Sequence, residues 1–311
     1  MARTPTRPRT APPSRHRGTP RRPRPSWLAR NGWWLAVSMV VLLGAVVLIG
    51  RDDSQPTSQP TGAVVGGDLH SLVVDPANPE RLFVGGHQAV ATSSDGGRSW
   101  QAVSSLESAD AMGWAFTADA VYVSGHPGLS RSSDGGQSFQ RHNQGLPDTD
   151  VHAFGAGGGV LYGASPAAGV FASTDGGRSW QVRSEEAGAG FFGRILVDPD
   201  DPGQLTAADT RSGPVQSSDG GRTWRKLGGL RAATWVSQAG PDTRALVASG
   251  PTGASRSADG GRSWSPVNLP EGALLVEGSA TNPELLYAAA HQASTAQVWV
   301  SRDGGRTWAR P

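Results

Sequence analysis

Cysteine is absent from the 311 residues of the chain. Its absence excludes disulfide bonds, thiolate metal sites, cysteine nucleophiles and a lipid anchor attached through cysteine. Lysine is almost absent too, with one lysine beside 27 arginines. Long apolar runs are equally scarce, since a single stretch is long enough to cross a membrane.

The basic charge is concentrated at one end of the chain. Residues 1–30 carry nine arginines and no acidic residue. The other 281 residues therefore hold 19 of the 28 basic groups and all 26 acidic groups, a formal charge of −7. A nucleic-acid surface needs clustered cations on the folded part of a protein. We therefore expect no nucleic-acid partner.

The apolar run at residues 33–50 predicts one transmembrane helix. Its 18 residues carry no charge, and at 1.5 Å per residue they nearly cover a hydrocarbon core of roughly 30 Å. Trp33 and Trp34 suit the membrane interface, and the arginines before them mark the cytoplasmic side. A cleaved signal peptide is the competing interpretation, but no small-residue cleavage site follows the run.

The anchor divides the chain into four parts. We expect a disordered, Arg/Pro-rich cytoplasmic tail at 1–30, the transmembrane anchor at 31–50, a flexible linker at 51–63 and a folded domain at 64–311. The protein is then a single-pass protein of the cell membrane with its N-terminus in the cytoplasm and its folded domain outside.

An octapeptide repeat predicts the fold of that domain. The pattern Ser-x-Asp-x-Gly-x-(Ser/Thr)-(Trp/Phe) occurs six times, with starts 39, 41, 44, 40 and 44 residues apart. This period fits one four-stranded blade of a β-propeller. We therefore predict an all-β, six-bladed β-propeller with blades near 64–107, 108–147, 148–187, 188–230, 231–269 and 270–311. Val64 and Val65 are candidates to complete the last blade, whose final strand is very short.

The repeated aspartate has the chemistry of a tight turn. It can accept hydrogen bonds from nearby backbone N–H groups, the glycine pair permits positive φ, and the aromatic residue returns to the blade core. A calcium loop would need more carboxylates than the one in each repeat. We therefore assign a structural role to the six repeated aspartates, Asp95, Asp134, Asp175, Asp219, Asp259 and Asp303.

These octapeptides resemble the Asp-box, or BNR, repeats of sialidases, sortilin-type receptors, xyloglucanases and photosystem II assembly propellers. The resemblance covers residues 66–311. The segments 68–76, 112–114 and 124–127 resemble, more narrowly, a bacterial group of BNR proteins described as exo-sialidase-like or glycosyl hydrolase-like. Because the shared repeats are turns, the resemblance implies the fold more firmly than an activity.

The resemblance to sialidases implies an arginine triad, a Tyr–Glu nucleophile pair, an aspartic acid/base and an early Arg-Ile-Pro motif. The nearest match to that motif, Phe192–Leu196, lacks the proline and lies in the fourth repeat. Core packing explains the available tyrosines better than a nucleophilic role. The two carboxylates of a generic glycosidase remain open among Asp68, Asp110, Asp150 and Glu271.

Histidines gather on the propeller face opposite the Asp boxes, where propeller ligands usually bind. Alignment of the second strands places His87, His126 and His291 at equivalent positions in blades 1, 2 and 6, which are neighbours in a closed ring. The inner strands of blades 1, 2 and 3 begin with a repeated acid-x-(His/Met) pattern, at Asp68-Leu-His70, Asp110-Ala-Met112 and Asp150-Val-His152.

Three functions follow as hypotheses. The first is a binding module that presents this face to an unidentified protein or small ligand, and the second is a glycosyl hydrolase acting on extracellular glycans. The third is a copper or zinc site, because imidazole suits both metals and a thioether favours copper(I). Its expected ligands are His70, His87, Met112, His126 and His291.

Overall fold

A computed structural model of the chain describes residues 62–311. The predicted cytoplasmic tail, the membrane anchor and most of the linker lie outside this range. Residues 62–311 form 24 β-strands and one short 3-10 helix at Ser104–Leu106, so this part of the chain is all-β. It contains no helix that is long and apolar enough to cross a membrane.

The strands form six groups of four, called units 1 to 6 here, in which consecutive strands pair antiparallel. Apolar runs such as Leu82–Val84 are fully buried, which suits strands packed on both faces. The first strand, β1 (Ala63–Val64), belongs to unit 6. Units 1 to 3 contain β2 (Leu69–Asp75), β3 (Asn78–Gly86), β4 (Val90–Ser93), β5 (Gln101–Ala102), β6 (Asp110–Phe116), β7 (Val121–His126), β8 (Gly128–Ser132), β9 (Gln140–Arg141), β10 (Ala153–Gly157), β11 (Val160–Ser165), β12 (Gly169–Ser173) and β13 (Gln181–Ser184).

The second half of the domain repeats this pattern. Units 4 to 6 contain β14 (Phe191–Val197), β15 (Leu205–Asp209), β16 (Gly213–Ser217), β17 (Arg225–Lys226), β18 (Trp235–Gln238), β19 (Leu246–Gly250), β20 (Gly253–Ser257), β21 (Ser265–Val267), β22 (Leu275–Gly278), β23 (Leu286–Gln292) and β24 (Thr295–Ser301).

The units follow one another around a closed ring. The first strand of each unit contacts the first strand of the next, in the order β2, β6, β10, β14, β18 and β22, and β22 contacts β2 again. Units 3 and 4 are joined further by parallel pairing of β10 with β14. This arrangement of antiparallel sheets around a common axis is a β-propeller.

Two distant parts of the chain complete unit 6. The outer edge of β24 pairs with β1, with Ala63 opposite Ala296 and Val64 opposite Thr295. Farther along the same edge, Ala309 forms an antiparallel bridge with Val300. β1 and Ala309 together cover the outer edge of β24, so this strand edge is not left unpaired.

The octapeptides connect the third and fourth strands of the units through a recurring set of hydrogen bonds. In unit 3 the buried Ser173 hydroxyl donates to Asp175 Oδ1 at 2.7 Å and accepts the Gly177 N–H at 2.9 Å. Asp175 then accepts the Ser179 N–H at 2.9 Å and its hydroxyl at 2.6 Å. Hydrogen bonds of this kind lower the pKa of all six repeated aspartates, and that from Ser99 contributes most in lowering the pKa of Asp95 to about 2.

A fully buried carboxylate forms an ion pair inside the ring. Glu277 on β22 is 0% exposed, and its carboxylate lies 2.6 Å from Arg194 Nη1 on β14. It also accepts hydrogen bonds from Trp235 Nε1 on β18 at 2.8 Å and from the Val74 N–H on β2 at 3.5 Å. Burial raises the pKa of Glu277, and the guanidinium opposes this rise. The carboxylate therefore links four inner strands.

Arg194→Met should destabilise the domain strongly, because it leaves the Glu277 carboxylate buried without its cation. We expect the free energy of unfolding to fall by about 3–5 kcal/mol in chemical denaturation. Arg194→Met combined with Glu277→Gln should recover part of this loss. Arg211→Met, at an exposed arginine, serves as the control. A loss no larger than that of the control would show that the ion pair does not hold the ring.

Ser173→Ala should show that the octapeptide is a structural turn. The change leaves the Gly177 N–H without its acceptor, so we expect a loss of about 1–3 kcal/mol in the free energy of unfolding. Thr174→Ala, at the exposed next residue of the same turn, should change stability by less than about 0.5 kcal/mol. Equal stability of the two variants would contradict a structural role for the serine.

Candidate functional site

The face opposite the octapeptide turns is called the upper face here. The octapeptides follow the last residues of the third strands, such as Ser93 of β4, whereas the turn from β3 to β4 lies at the other end of that strand and carries His87. The first strands start at this upper end. Asp68, Asp110 and Asp150 therefore lie at the upper face of units 1, 2 and 3.

Seven side chains at the upper face form a continuous series of contacts, called the His–Asp cluster. His70 lies between two carboxylates, with Nε2 2.8 Å from Asp68 Oδ2 and Nδ1 2.5 Å from Asp110 Oδ1. His126 links the next two carboxylates, with Nδ1 3.3 Å from Asp110 Oδ2 and Nε2 2.8 Å from Asp150 Oδ1. The cluster comprises Asp68, His70, His87, Asp110, His126, Asp150 and His152.

Asp110 is the centre of this cluster. It is 5% exposed, and three imidazole Nδ1 atoms approach its carboxylate, those of His70, His87 and His126. Burial alone would raise the pKa of Asp110, but the histidines outweigh burial and lower it. Burial likewise opposes protonation of His70, but the charges and hydrogen bonds of Asp110 and Asp68 raise its pKa. The centre of the cluster therefore favours an ionised Asp110 carboxylate and a positive charge at the His70 imidazole.

β-Bulges direct the inner-strand side chains at this face. The pairing of β2 with β3 shifts at His70, and the pairing of β6 with β7 shifts at Met112. A bulge interrupts the regular alternation of a strand, and the side chains of Asp68 and His70 nevertheless lie 2.8 Å apart. Met112 is 5% exposed, and the contacts that link the His–Asp cluster do not pass through it.

His291 has a different partner from the one expected. Its Nε2 donates a hydrogen bond to the Gly66 carbonyl at 2.9 Å. This bond ties β23 to the segment that follows β1. Among the described residues, His291 makes no contact with the other histidines, contrary to the expectation. His152 does belong to the cluster, with its Nε2 2.7 Å from Asp150 Oδ1.

Phe192 extends the site to unit 4 and was not predicted. Its ring lies edge-on to the imidazoles of His70 and His152, with centroid distances of 5.6 and 6.0 Å. The adjacent Gly193 adopts φ +77°, and a Cβ there would lie 2.5 Å from the Trp235 ring. Its position could have been predicted from the repeat, because Gly190-Phe191-Phe192 is equivalent to Asp68-Leu-His70.

Apart from Asp68, Asp110 and Asp150, the residues considered for catalysis lie outside the His–Asp cluster. Arg194, in the nearest match to the Arg-Ile-Pro motif, is paired with buried Glu277. Glu271 is exposed in the segment before β22. The three tyrosines are buried core residues, Tyr122, Tyr162 and Tyr287. Their environment agrees with packing and not with a nucleophilic role.

Comparison with known proteins places the fold but not a family. No family model and no curated protein matches the chain. The GH74 xyloglucanase from Xanthomonas campestris aligns with a TM-score of 0.53 at 17% identity, over 81% of this chain and 46% of that enzyme. The chain thus spans less than half the length of the xyloglucanase.

Two further solved structures share this likeness. A chain of a nidogen/laminin complex aligns with a TM-score of 0.56 at 14% identity, over 74% of this chain and 93% of its own length. The RRP9 WD40 repeats align with a TM-score of 0.51 at 12% identity, over 80% and 83% of the two chains. At these identities the similarity shows a β-propeller fold, which both hydrolases and non-enzymatic proteins possess.

Proposed function

We propose that the protein is a six-bladed Asp-box propeller, held outside the cytoplasmic membrane by residues 33–50, that binds a cationic ligand at its upper face. The Asp boxes act as turns and the His–Asp cluster acts as the binding site. The ligand is a cation or the basic group of a larger partner. The protein is a binding module and not an enzyme.

The observation that carries this proposal is the charge of the His–Asp cluster. Its three carboxylates give it a formal charge of −3 when the histidines are neutral, and Asp110 at its centre is almost fully buried. A patch of one charge sign attracts ligands of the opposite sign. A sialic acid would bring a carboxylate, which needs cationic partners instead.

A glycosidase mechanism finds no support in the same groups. It requires a carboxylic acid that is protonated at neutral pH beside a second carboxylate. The pKa of Asp110 is lowered by its histidine neighbours, which disfavours the protonated form that this acid needs. The pKa of Glu277 is raised, but this residue is sealed inside the ring and paired with Arg194. These groups therefore favour a binding module over a glycosidase.

Cation binding can be measured with hexaamminecobalt(III), whose fixed ammine ligands prevent direct bonds between the metal and the protein. We expect the full chain, purified in detergent and treated with a chelator, to bind this ion at low ionic strength. Asp150→Asn should weaken binding severalfold and added salt should weaken it further. Asp119→Asn, at an exposed residue of the β6–β7 turn, is the control.

Two outcomes would contradict the proposed function. One is equal binding of hexaamminecobalt(III) by the wild type and Asp150→Asn, which would place the cation elsewhere. The other is hydrolysis of xyloglucan or of a fluorogenic sialoside by the full chain that is lost in Asp110→Asn, because this would make the upper face a catalytic site.

The absence of cysteine permits a direct test of the membrane orientation. Ser54→Cys should react with a membrane-impermeant maleimide in intact spheroplasts, because residue 54 follows the anchor on the outer side. Ser14→Cys should react only after the membrane is permeabilised. Labelling of Ser14→Cys in intact spheroplasts would mean the opposite orientation, and recovery of a tail-free chain would mean that the segment is a cleaved signal.

A further inference from the structure

Two imidazoles of the His–Asp cluster have a carboxylate at both ring nitrogens. His70 has a carboxylate oxygen at each ring nitrogen, at 2.8 Å and 2.5 Å, and His126 has the same arrangement at 2.8 Å and 3.3 Å. A neutral imidazole carries one N–H and can therefore satisfy only one of its two carboxylates. The second nitrogen of each ring then needs a proton or a metal ion.

Buried polar atoms with poorly aligned partners are concentrated at the same place. Within 62–311, four buried atoms of the cluster lack a well-aligned hydrogen bond, Asp68 Oδ1, His70 Nδ1, Asp110 Oδ1 and Asp150 Oδ1, although the last three lie within 2.8 Å of a neighbouring side chain. His70 Nδ1 and Asp110 Oδ1 are 2.5 Å apart, so they need a proton or a metal ion between or beside them. Two lone-pair atoms at this distance would otherwise repel each other.

The spacing of the donor atoms suits one ion. Asp68, His70 and His87 each offer one ligand atom, and these atoms lie within 4.8 Å of one another. His87 Nδ1 is also 3.4 Å from the Asp110 carboxylate. Ligand atoms around a tetrahedral zinc ion with bonds of about 2.0–2.1 Å are separated by about 3.4 Å. Small side-chain movements would therefore bring nitrogen and oxygen atoms to a common centre.

We propose that Asp68, His70 and His87 bind one divalent transition-metal ion, zinc or copper(II), and that Asp110 lies on the far side of His70. This proposal rests on the proposed cation-binding function and names its ligand. One nitrogen of His70 binds the ion, while the other donates its hydrogen to the carboxylate on its far side, which fixes the orientation of the ring. Asp150, His126 and His152 surround this group on the side of unit 3.

The donor set discriminates among the metals. Imidazole nitrogen and carboxylate oxygen suit zinc and copper(II), whereas a thioether sulfur favours copper(I). Asp68 at the ion and Asp110 beside His70 and His87 neutralise a divalent ion better than a monovalent one. Met112 is not a ligand in this proposal, and the expected ion is divalent rather than copper(I).

The test uses the full chain in detergent, freed of metal with a chelator and titrated with zinc chloride in a calorimeter. We expect one zinc ion per chain with a dissociation constant below about 10 μM, and a higher melting temperature with zinc. His87→Ala should weaken zinc binding about tenfold or more. This variant is suitable because His87 is 56% exposed at a turn, so its removal spares the core.

Two control measurements distinguish failure of the zinc site from failure of cation binding in general. His142→Ala removes a histidine that contacts the Gly176 carbonyl outside the cluster and should bind zinc as the wild type does. His87→Ala should still bind hexaamminecobalt(III), since it keeps all three carboxylates. A zinc dissociation constant above about 10 μM, or equal zinc affinity of His87→Ala and the wild type, overturns the metal site. If hexaamminecobalt(III) still binds in that case, the proposed cation-binding function stands alone.

Discussion

The buried carboxylate of Glu277 is the constraint on which the upper face depends. Its partners come from three other inner strands, through Arg194, Trp235 and the Val74 N–H. A buried charge without partners costs several kcal/mol, so β2, β14, β18 and β22 must keep their relative positions. β2 also carries His70, and β14 carries Phe192 two residues before Arg194. The buried ion pair therefore sets the spacing of groups that meet at the upper face.

The aspartates of the domain fall into two sets with different surroundings. In the octapeptides, a carboxylate such as Asp175 accepts its hydrogen bonds from residues up to four positions away, so a local turn satisfies it completely. At the upper face, Asp110 depends on histidines that belong to different strands and to a neighbouring unit. The local hydrogen bonds of the octapeptide aspartates stabilise the fold. In the cluster, which several units supply, the imidazoles can release a proton and bind a ligand instead.

The repeat made the β-propeller predictable, because its period and its turn residues occur within each unit. The gathering of Asp68, His70, Asp110 and His126 could also be anticipated, since equivalent positions of neighbouring units meet at one face. The pairing of Arg194 with Glu277 could not, because the two residues are 83 positions apart and share no pattern. The strand bulges and the Gly66 contact of His291 depend on local backbone geometry, which alternation in the sequence does not encode.

Diffraction from crystals grown with zinc tests most directly whether the His–Asp cluster binds a metal ion. Data collected on both sides of the zinc absorption edge should give one anomalous peak at the upper face, about 2.0–2.1 Å from nitrogen atoms of His70 and His87 and within bonding distance of a carboxylate oxygen. A map without a peak there, with the imidazoles hydrogen-bonded to the three aspartates, would contradict the account.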